Sequence, residues 1–269
     1  MNRRPLNRSL LRLVWLLVLG ALVPWCVAQK ATSEGPEANP GRPTVSTPAA
    51  LTPVGYLQFE TGGLSARHSM EFSSRYSLNE VIKLSVAPRL EMLAASEPIV
   101  HATVEAIGEN DPGDLFLGAQ TVLLPGEGAK PTVSASYFRH IYGGGAPDFD
   151  VGTPTNSILL LISADVKGFH YDANAFFNEV VQAPVRRAQF GQTLSISHSI
   201  VGRLSLSGEI WRFTQPFVRG NAIGNLWAVS YVVRKDLVLD AGFNRGLTDT
   251  STRWGTFVGF TYLLPHRLW

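Results

Sequence analysis

Residues 190–213, FGQTLSISHSIVGRLSLSGEIWRF, separate into two interleaved sets when read two residues at a time. Leu194, Ile196, His198 and Ile200 alternate with Thr193, Ser195, Ser197 and Ser199; beyond Val201–Gly202, Leu204, Leu206, Gly208 and Ile210 alternate with Ser205, Ser207, Glu209 and Trp211. A period of two marks a strand with unlike faces. Two such runs joined across a glycine predict a β-hairpin with one apolar face and one hydroxyl-lined face. The fold turns on whether the whole chain repeats this pattern, and on which face meets the solvent.

The chain begins with Arg3, Arg4, Arg8 and Arg12, followed by an apolar run from Leu13 to Val23 and then Cys26-Val27-Ala28. A basic start, a short apolar core and a small residue at the cleavage point predict a secretory signal peptide over 1–28. The run is too short to span a bilayer as a helix. Four of the 23 Lys and Arg residues lie in this segment, which leaves 19 basic against 21 acidic residues in the mature chain. The formal charge of +2 therefore reflects targeting, and nothing argues for nucleic acid. Cys26 is the one cysteine of the sequence, so the expected mature chain holds its fold without disulfides.

Residues 29–50, QKATSEGPEANPGRPTVSTPAA, are rich in small and polar residues and predict a disordered, solvated periplasmic leader. From residue 51 to 269 the alternation recurs. Expected strands are 53–61, 77–87, 89–96, 113–124, 131–142, 156–167, 169–181, the two of the opening hairpin, 222–234, 237–245 and 253–263. These make twelve strands of the length a tilted strand needs to cross hydrocarbon. Their connections alternate. Residues 87–88, 125–129, 167–169, 201–202 and 234–236 are short, whereas 62–76, 97–112, 143–155, 182–188, 214–221 and 246–252 are longer. Short turns on one side, long loops on the other and an even strand count predict an all-β, antiparallel transmembrane β-barrel in the outer membrane of a Gram-negative-type bacterium.

The aromatic residues orient the faces. With the loops outside, Tyr137, Phe177, Phe243 and Trp254 fall on the apolar face near the loop end, and Tyr171, Tyr231 and Tyr262 fall on it near the turn end. Two aromatic belts flanking an aliphatic band are what the headgroup levels of a bilayer select. The apolar face is therefore expected to face lipid and the polar face the lumen.

GYLQFETG (55–62), LNEVIKLSVAPRLEMLAA (78–95) and GDLFLGAQTVLLPGEGAKP (113–131) resemble outer-membrane proteins of the meta-pathway-of-phenol-degradation family. The resemblance covers about residues 50–264. Its motifs are strand starts and turns, so it implies a barrel and a transporter-like channel, with hydrophobic or aromatic solutes as the expected cargo. It transfers no motif of functional residues.

The polar parity collects the candidate lumen residues Glu60, Lys83, Arg89, Glu91, Gln120, Asp165, Lys167, His170, Asp172, Asn174, Glu209 and Asp240, with Trp211 also pointing inward. One reading is a mixed-sign pore for passive uptake of small solutes. The other is a closed structural or surface-interaction barrel whose interior charges pair across a narrow lumen. The mixture of signs argues against a strongly basic channel for acidic sugars. His68, His101 and His140 come from different loops without ligand spacing, and Asp148 and Asp150 lack the regular oxygen ligands of a calcium loop, so neither a metal nor a cofactor is expected. His198 and Ser199 are neighbours on one strand and point to opposite faces, which leaves no catalytic pair and no expected enzyme activity. The expected partners are outer-membrane lipid, small solutes and the barrel-assembly machinery.

Overall fold

The computed structural model describes residues 35–149 and 153–269. The expected signal peptide and the first residues of the leader lie outside the described residues. Thirteen strands follow one another: β1 Leu57–Arg67, β2 Ser74–Ala87, β3 Leu90–Val104, β4 Ile107–Asp111, β5 Leu115–Leu124, β6 Thr132–Tyr142 and β7 Pro154–Val166, then β8 Phe169–Gln182, β9 Val185–Val201, β10 Leu204–Thr214, β11 Asn221–Arg234, β12 Leu237–Gly246 and β13 Trp254–Leu263. Twelve of them, all but β4, close into an antiparallel barrel; β13 pairs with β1, and β2 pairs with β3 to complete the circuit. Closure leaves no unpaired edge in the hydrocarbon, which is the condition for spanning a membrane with strands. No described helix is long and apolar enough to cross a membrane.

Burial settles the orientation of the faces. Leu194, Ile196, Leu206, Ile210, Val229 and Leu239 are exposed on the outer surface, whereas Thr193, Ser195, Ser207, Glu209 and Asp240 are buried. The alternation of the opening hairpin is thus apolar outward and polar inward, the inverse of a soluble barrel. Tyr137, Phe177, Phe243 and Trp254 at the loop end, and Tyr231 at the turn end, are likewise exposed. Tyr171 and Tyr262, expected beside Tyr231, are half-buried, and the apolar band with its aromatic borders faces outward.

Three connections differ from the expectation. Residues 62–76 are mostly strand, β1 running to Arg67 and β2 starting at Ser74, so that only 68–73 are loop. Residues 97–112 contain the upper part of β3 and the short β4, which pair as a hairpin above the barrel (Val104↔Ile107 to Val100↔Asp111). The pairing of β2 with β3 shifts between Leu78 and Glu80, at the level of Glu97 and Pro98, so parity reverses there and the alternation is hidden from a fixed period. Residues 182–188 also form strand rather than loop: β8 and β9 pair to Gln182↔Val185, with only residues 183–184 between them. Arg186 and Arg187 read as loop residues because they are charged, yet charged residues continue a ladder freely once it has left the hydrocarbon.

Candidate functional site in the barrel lumen

The lumen is organised by a segment that belongs to no strand. Residues 37–52, expected to be a solvated leader, run inside the barrel and follow its wall. Ala38 N donates to the Lys235 carbonyl at the β11–β12 turn. Arg42 donates to Asp240 on β12 from Nη2 (3.0 Å) and Nε (3.2 Å). Val45 N and Ser46 N both donate to the Glu209 carboxylate on β10 at 2.7 Å, and Ser46 Oγ lies 2.7 Å from Thr193 Oγ1 on β9. Thr47 and Asn174 on β8 exchange two hydrogen bonds. Ala49 N donates to Ser163 Oγ on β7, while its carbonyl accepts from Ser134 on β6 and Gln120 on β5. Thr52 donates from N and Oγ1 to Glu91 on β3, and its hydroxyl also meets Ser85 on β2. Nearly every strand in turn holds one point of this hoop.

Physical chemistry explains why this segment fits there. It has no ladder of its own, so its N–H and C=O groups must find partners wherever they are buried. The wall offers carboxylates, amides and hydroxyls at each step. Small residues such as Gly41, Ser46, Ala49 and Ala50 let the backbone approach the wall closely. The same smallness made the segment read as solvated.

The thirteen candidate residues divide by height. Glu60, Lys83, Glu91, Gln120, Asp172, Asn174, Glu209, Trp211 and Asp240 are buried in the interior. Lys83 Nζ lies 2.5 Å from Glu60 Oε1, with both side chains almost fully buried, and Glu60 also accepts from Gly41 N. Arg89, Asp165 and Lys167 instead sit exposed at the turn rim, and Lys167 occupies the tight turn itself with a positive φ of 53°. They are not part of the buried wall. His170 stands between, within hydrogen-bonding distance of both Asp165 (2.8 Å) and Asp172 (3.2 Å). The interior carboxylates do not pair across the lumen with one another's cations. They are satisfied by the hoop and by neighbouring side chains.

Above the hoop lies a chamber of about 610 Å³. Its floor is Gly41 to Thr47, and its wall carries Leu93, Leu159, Phe138, Phe176, Trp211 and Phe213. Phe176 and Phe213 meet edge to face at 5.2 Å, and Trp211 lies 6.2 Å from Phe213. Such an aromatic patch is unusual in a lumen otherwise lined by polar groups. Four buried polar atoms on side chains of this wall have no hydrogen-bond partner: Trp211 Nε1 and Arg75 Nε as donors, Asn178 Oδ1 and Asn244 Oδ1 as acceptors. The alternation places Trp211, Asn178 and Asn244 on the lumen face; Arg75 escaped it because residues 62–76 read as loop, whereas β2 begins at Ser74.

The β6–β7 loop covers the outer side of the chamber. Ala146 to Phe149 and Thr153 contribute to its lining. Phe149 reaches the β1–β2 and β12–β13 loops: its carbonyl accepts from Thr252 Oγ1 (2.8 Å) and Ser69 Oγ (3.3 Å), and its ring packs against Phe72 at 6.3 Å and Arg75 at 6.0 Å. Asp148 bonds to Thr153 within the same loop, and Asp150 lies outside the described residues. The loop histidines remain apart: His101 bonds to Asn110 and His140 to Asp114. His198 faces outward, bonds to the Gly168 carbonyl and stacks on Phe169 at 4.5 Å.

No protein-family model and no curated protein matches the sequence. The resemblance to the phenol meta-pathway family therefore rests on the quoted stretches alone. Among solved structures, the COG4313 outer membrane channel from Pseudomonas putida F1 is similar with a TM-score of 0.61 at 12% identity, covering 85% of this chain and 100% of that one. The KdgM porin is similar with a TM-score of 0.52 at 11% identity, over 76% of this chain and 98% of that one. A KdgM porin in complex with disordered oligogalacturonate has a TM-score of 0.51 at 9% identity, over 77% and 98%. These likenesses establish the fold, a barrel of the outer-membrane type.

Proposed function

We propose that the protein is an outer-membrane channel for the passive passage of small solutes, and that its preferred solutes are small aromatic or hydrophobic molecules. The observation that carries this reading is the chamber: a wall of Leu93, Leu159, Phe138, Phe176, Trp211 and Phe213, with Arg75, Asn178 and Asn244 among its polar members, around a volume of about 610 Å³. Apolar walls with a few oriented polar groups are the usual design of small-molecule sites. The solute class also agrees with the phenol-pathway resemblance. Acidic sugars fit poorly, because the buried wall bears Glu60, Glu91, Asp172, Glu209 and Asp240.

Uptake into liposomes containing the purified barrel tests the proposal. Phenol, benzene and a hexose of similar size are compared, with single-channel conductance recorded in parallel. Faster entry of phenol than of hexose is expected. Equal entry of all three would remove the solute preference, and a folded barrel that neither conducts nor admits any solute would end the channel reading.

A second reading has its own support. The hoop lines the turn half of the lumen and the Phe149 loop covers the other end, which is the arrangement expected of a barrel that stays closed and acts through its surface. Transport in this structure requires the hoop or the loop to yield.

A further inference from the structure

The outer surface carries an arginine cluster at the loop end that the lumen does not explain. At the loop end, Arg67 of β1, Arg139 of β6, Arg186 of β9, Arg212 of β10 and Arg245 of β12 occupy strand positions of outward parity. Arg139 shares the parity of exposed Tyr137, Arg186 that of exposed Phe190, and Arg212 that of exposed Ile210. Among the described strand positions at this level, Glu179 is the outward acid beside them, and it is held by Arg186 Nη1 at 2.9 Å and Asn156 Nδ2 at 2.6 Å. The turn end is also basic, with Arg89, Lys130, Lys167, Arg203, Arg234 and Lys235 against Glu127, Asp165 and Asp236, but these residues lie in or at the tight turns and not above an aromatic pair on the outer wall.

The guanidinium groups are held in place rather than left to wander. Arg139 Nη1 and Tyr137 Oη donate to the same Asn156 Oδ1 at 3.2 and 2.7 Å. Arg212 donates to Gln192 and Asn221. Each anchor uses one or two of the five N–H groups of its arginine and leaves others directed outward. Directly below lie Phe177 and Phe190, paired edge to face at 5.3 Å, with the aliphatic band beneath them. An oriented cation above an aromatic border and an apolar surface matches, from top to bottom, a phosphate, a headgroup boundary and acyl chains.

We infer that the arc formed by Arg139, Arg186 and Arg212 binds phosphorylated lipid headgroups in the leaflet that surrounds the loop end. The inference rests on the reading of the chain as an outer-membrane barrel with its loops outside. Phosphate oxygens accept the free N–H groups, while the lipid's acyl chains lie along Phe177, Phe190 and Leu194. Glu179 restrains Arg186 through their ion pair, and its single charge is shared with Arg139, so the three arginines keep a net positive charge.

The test uses the whole mature barrel in detergent. Native mass spectrometry and the heat-induced gel shift are followed with bisphosphorylated lipid A, the same lipid dephosphorylated, and phosphatidylcholine. The wild-type protein should retain bisphosphorylated lipid A and unfold at higher temperature with it; the dephosphorylated lipid should do neither. Arg139→Gln/Arg186→Gln/Arg212→Gln should bind the phosphorylated lipid on the order of tenfold or more weakly, the loss of at least one charge-assisted hydrogen bond. Arg203→Gln/Arg234→Gln, at the turn end, should bind as wild type. Equal response to phosphorylated and dephosphorylated lipid in the wild type alone overturns the inference, as does a folded triple variant with undiminished binding. Absence of any heat-induced gel shift in the wild type would instead strike the barrel reading on which it rests.

Discussion

Arg42 and Asp240, 198 residues apart in sequence, form a two-pronged ion pair inside the barrel. The guanidinium crosses bare backbone to reach its partner. Gly62 of β1 and Gly259 of β13 face one another in register, and a Cβ on either would come within 2.4 or 2.6 Å of the arginine head. Phe257 adds a ring at 5.8 Å. Arg42 is therefore the pin that fixes the start of the hoop.

Removing the pin or filling its trough should have the same consequence. Arg42→Ala loses two charge-assisted hydrogen bonds, worth about 1.5–3 kcal/mol each at most in this setting. Gly62→Val removes the space instead. Both variants should retain the heat-induced gel shift of a folded barrel and show larger or more frequent single-channel openings than wild type. Folded variants with unchanged conductance would mean that the hoop does not limit passage.

Leu206 and Ser207 are neighbours with opposite fates: Leu206 is 39% exposed to the outside and Ser207 4% exposed within. Leu206→Arg should impair assembly by roughly 2–4 kcal/mol, the cost of a cation facing mid-membrane lipid. Ser207→Arg should still assemble, because its side chain enters a polar interior. That interior is filled, so the arginine must displace what covers Ser207, and altered conductance is expected as well. Assembly yield in vesicles distinguishes the two. A reversal of their order would contradict the orientation of the wall.

Trp211 gives the chamber an aromatic surface, while its own N–H is buried in the wall without a partner. Trp211→Ala removes that surface. Uptake of phenol and of benzene should both fall, with hexose uptake little changed. Equal loss for all three solutes would assign Trp211 to the general shape of the lumen and not to aromatic contact.

Lys83 and Lys167 share one parity at the sequence level and should behave differently in a recording. Lys167→Glu changes an exposed turn residue, whose field is screened over a Debye length of about 8 Å at physiological salt, so ion selectivity should hardly move. Lys83→Met leaves Glu60 buried without its cation and should destabilise the barrel by about 3–5 kcal/mol. Glu60→Leu/Lys83→Met should recover part of that loss. Heat-shift midpoints report the second pair and reversal potentials the first.

The sequence by itself determined the strands, their number in the barrel and the faces they present. A period of two is a local property of the backbone: Leu194 and Thr193 must point apart wherever the strand lies. The alternation of Ser205, Ser207 and Glu209 with Leu204, Leu206 and Ile210 could therefore be read from neighbours alone, and burial then matched it. Bulges broke this reading at Glu97-Pro98, since one extra residue reverses every side chain beyond it. Tertiary structure alone decided the fate of residues 37–52, because that segment's partners are the side chains of almost every strand. A trace of it was legible: the candidate lumen residues contain more carboxylates than cations, and Arg42 and the backbone N–H groups of the hoop supply what was missing. Which carboxylate meets which donor depends on closing the barrel. Asp240, Gly62 and Gly259 come together around Arg42 only when β13 pairs with β1, and no local rule of sequence carries that distance.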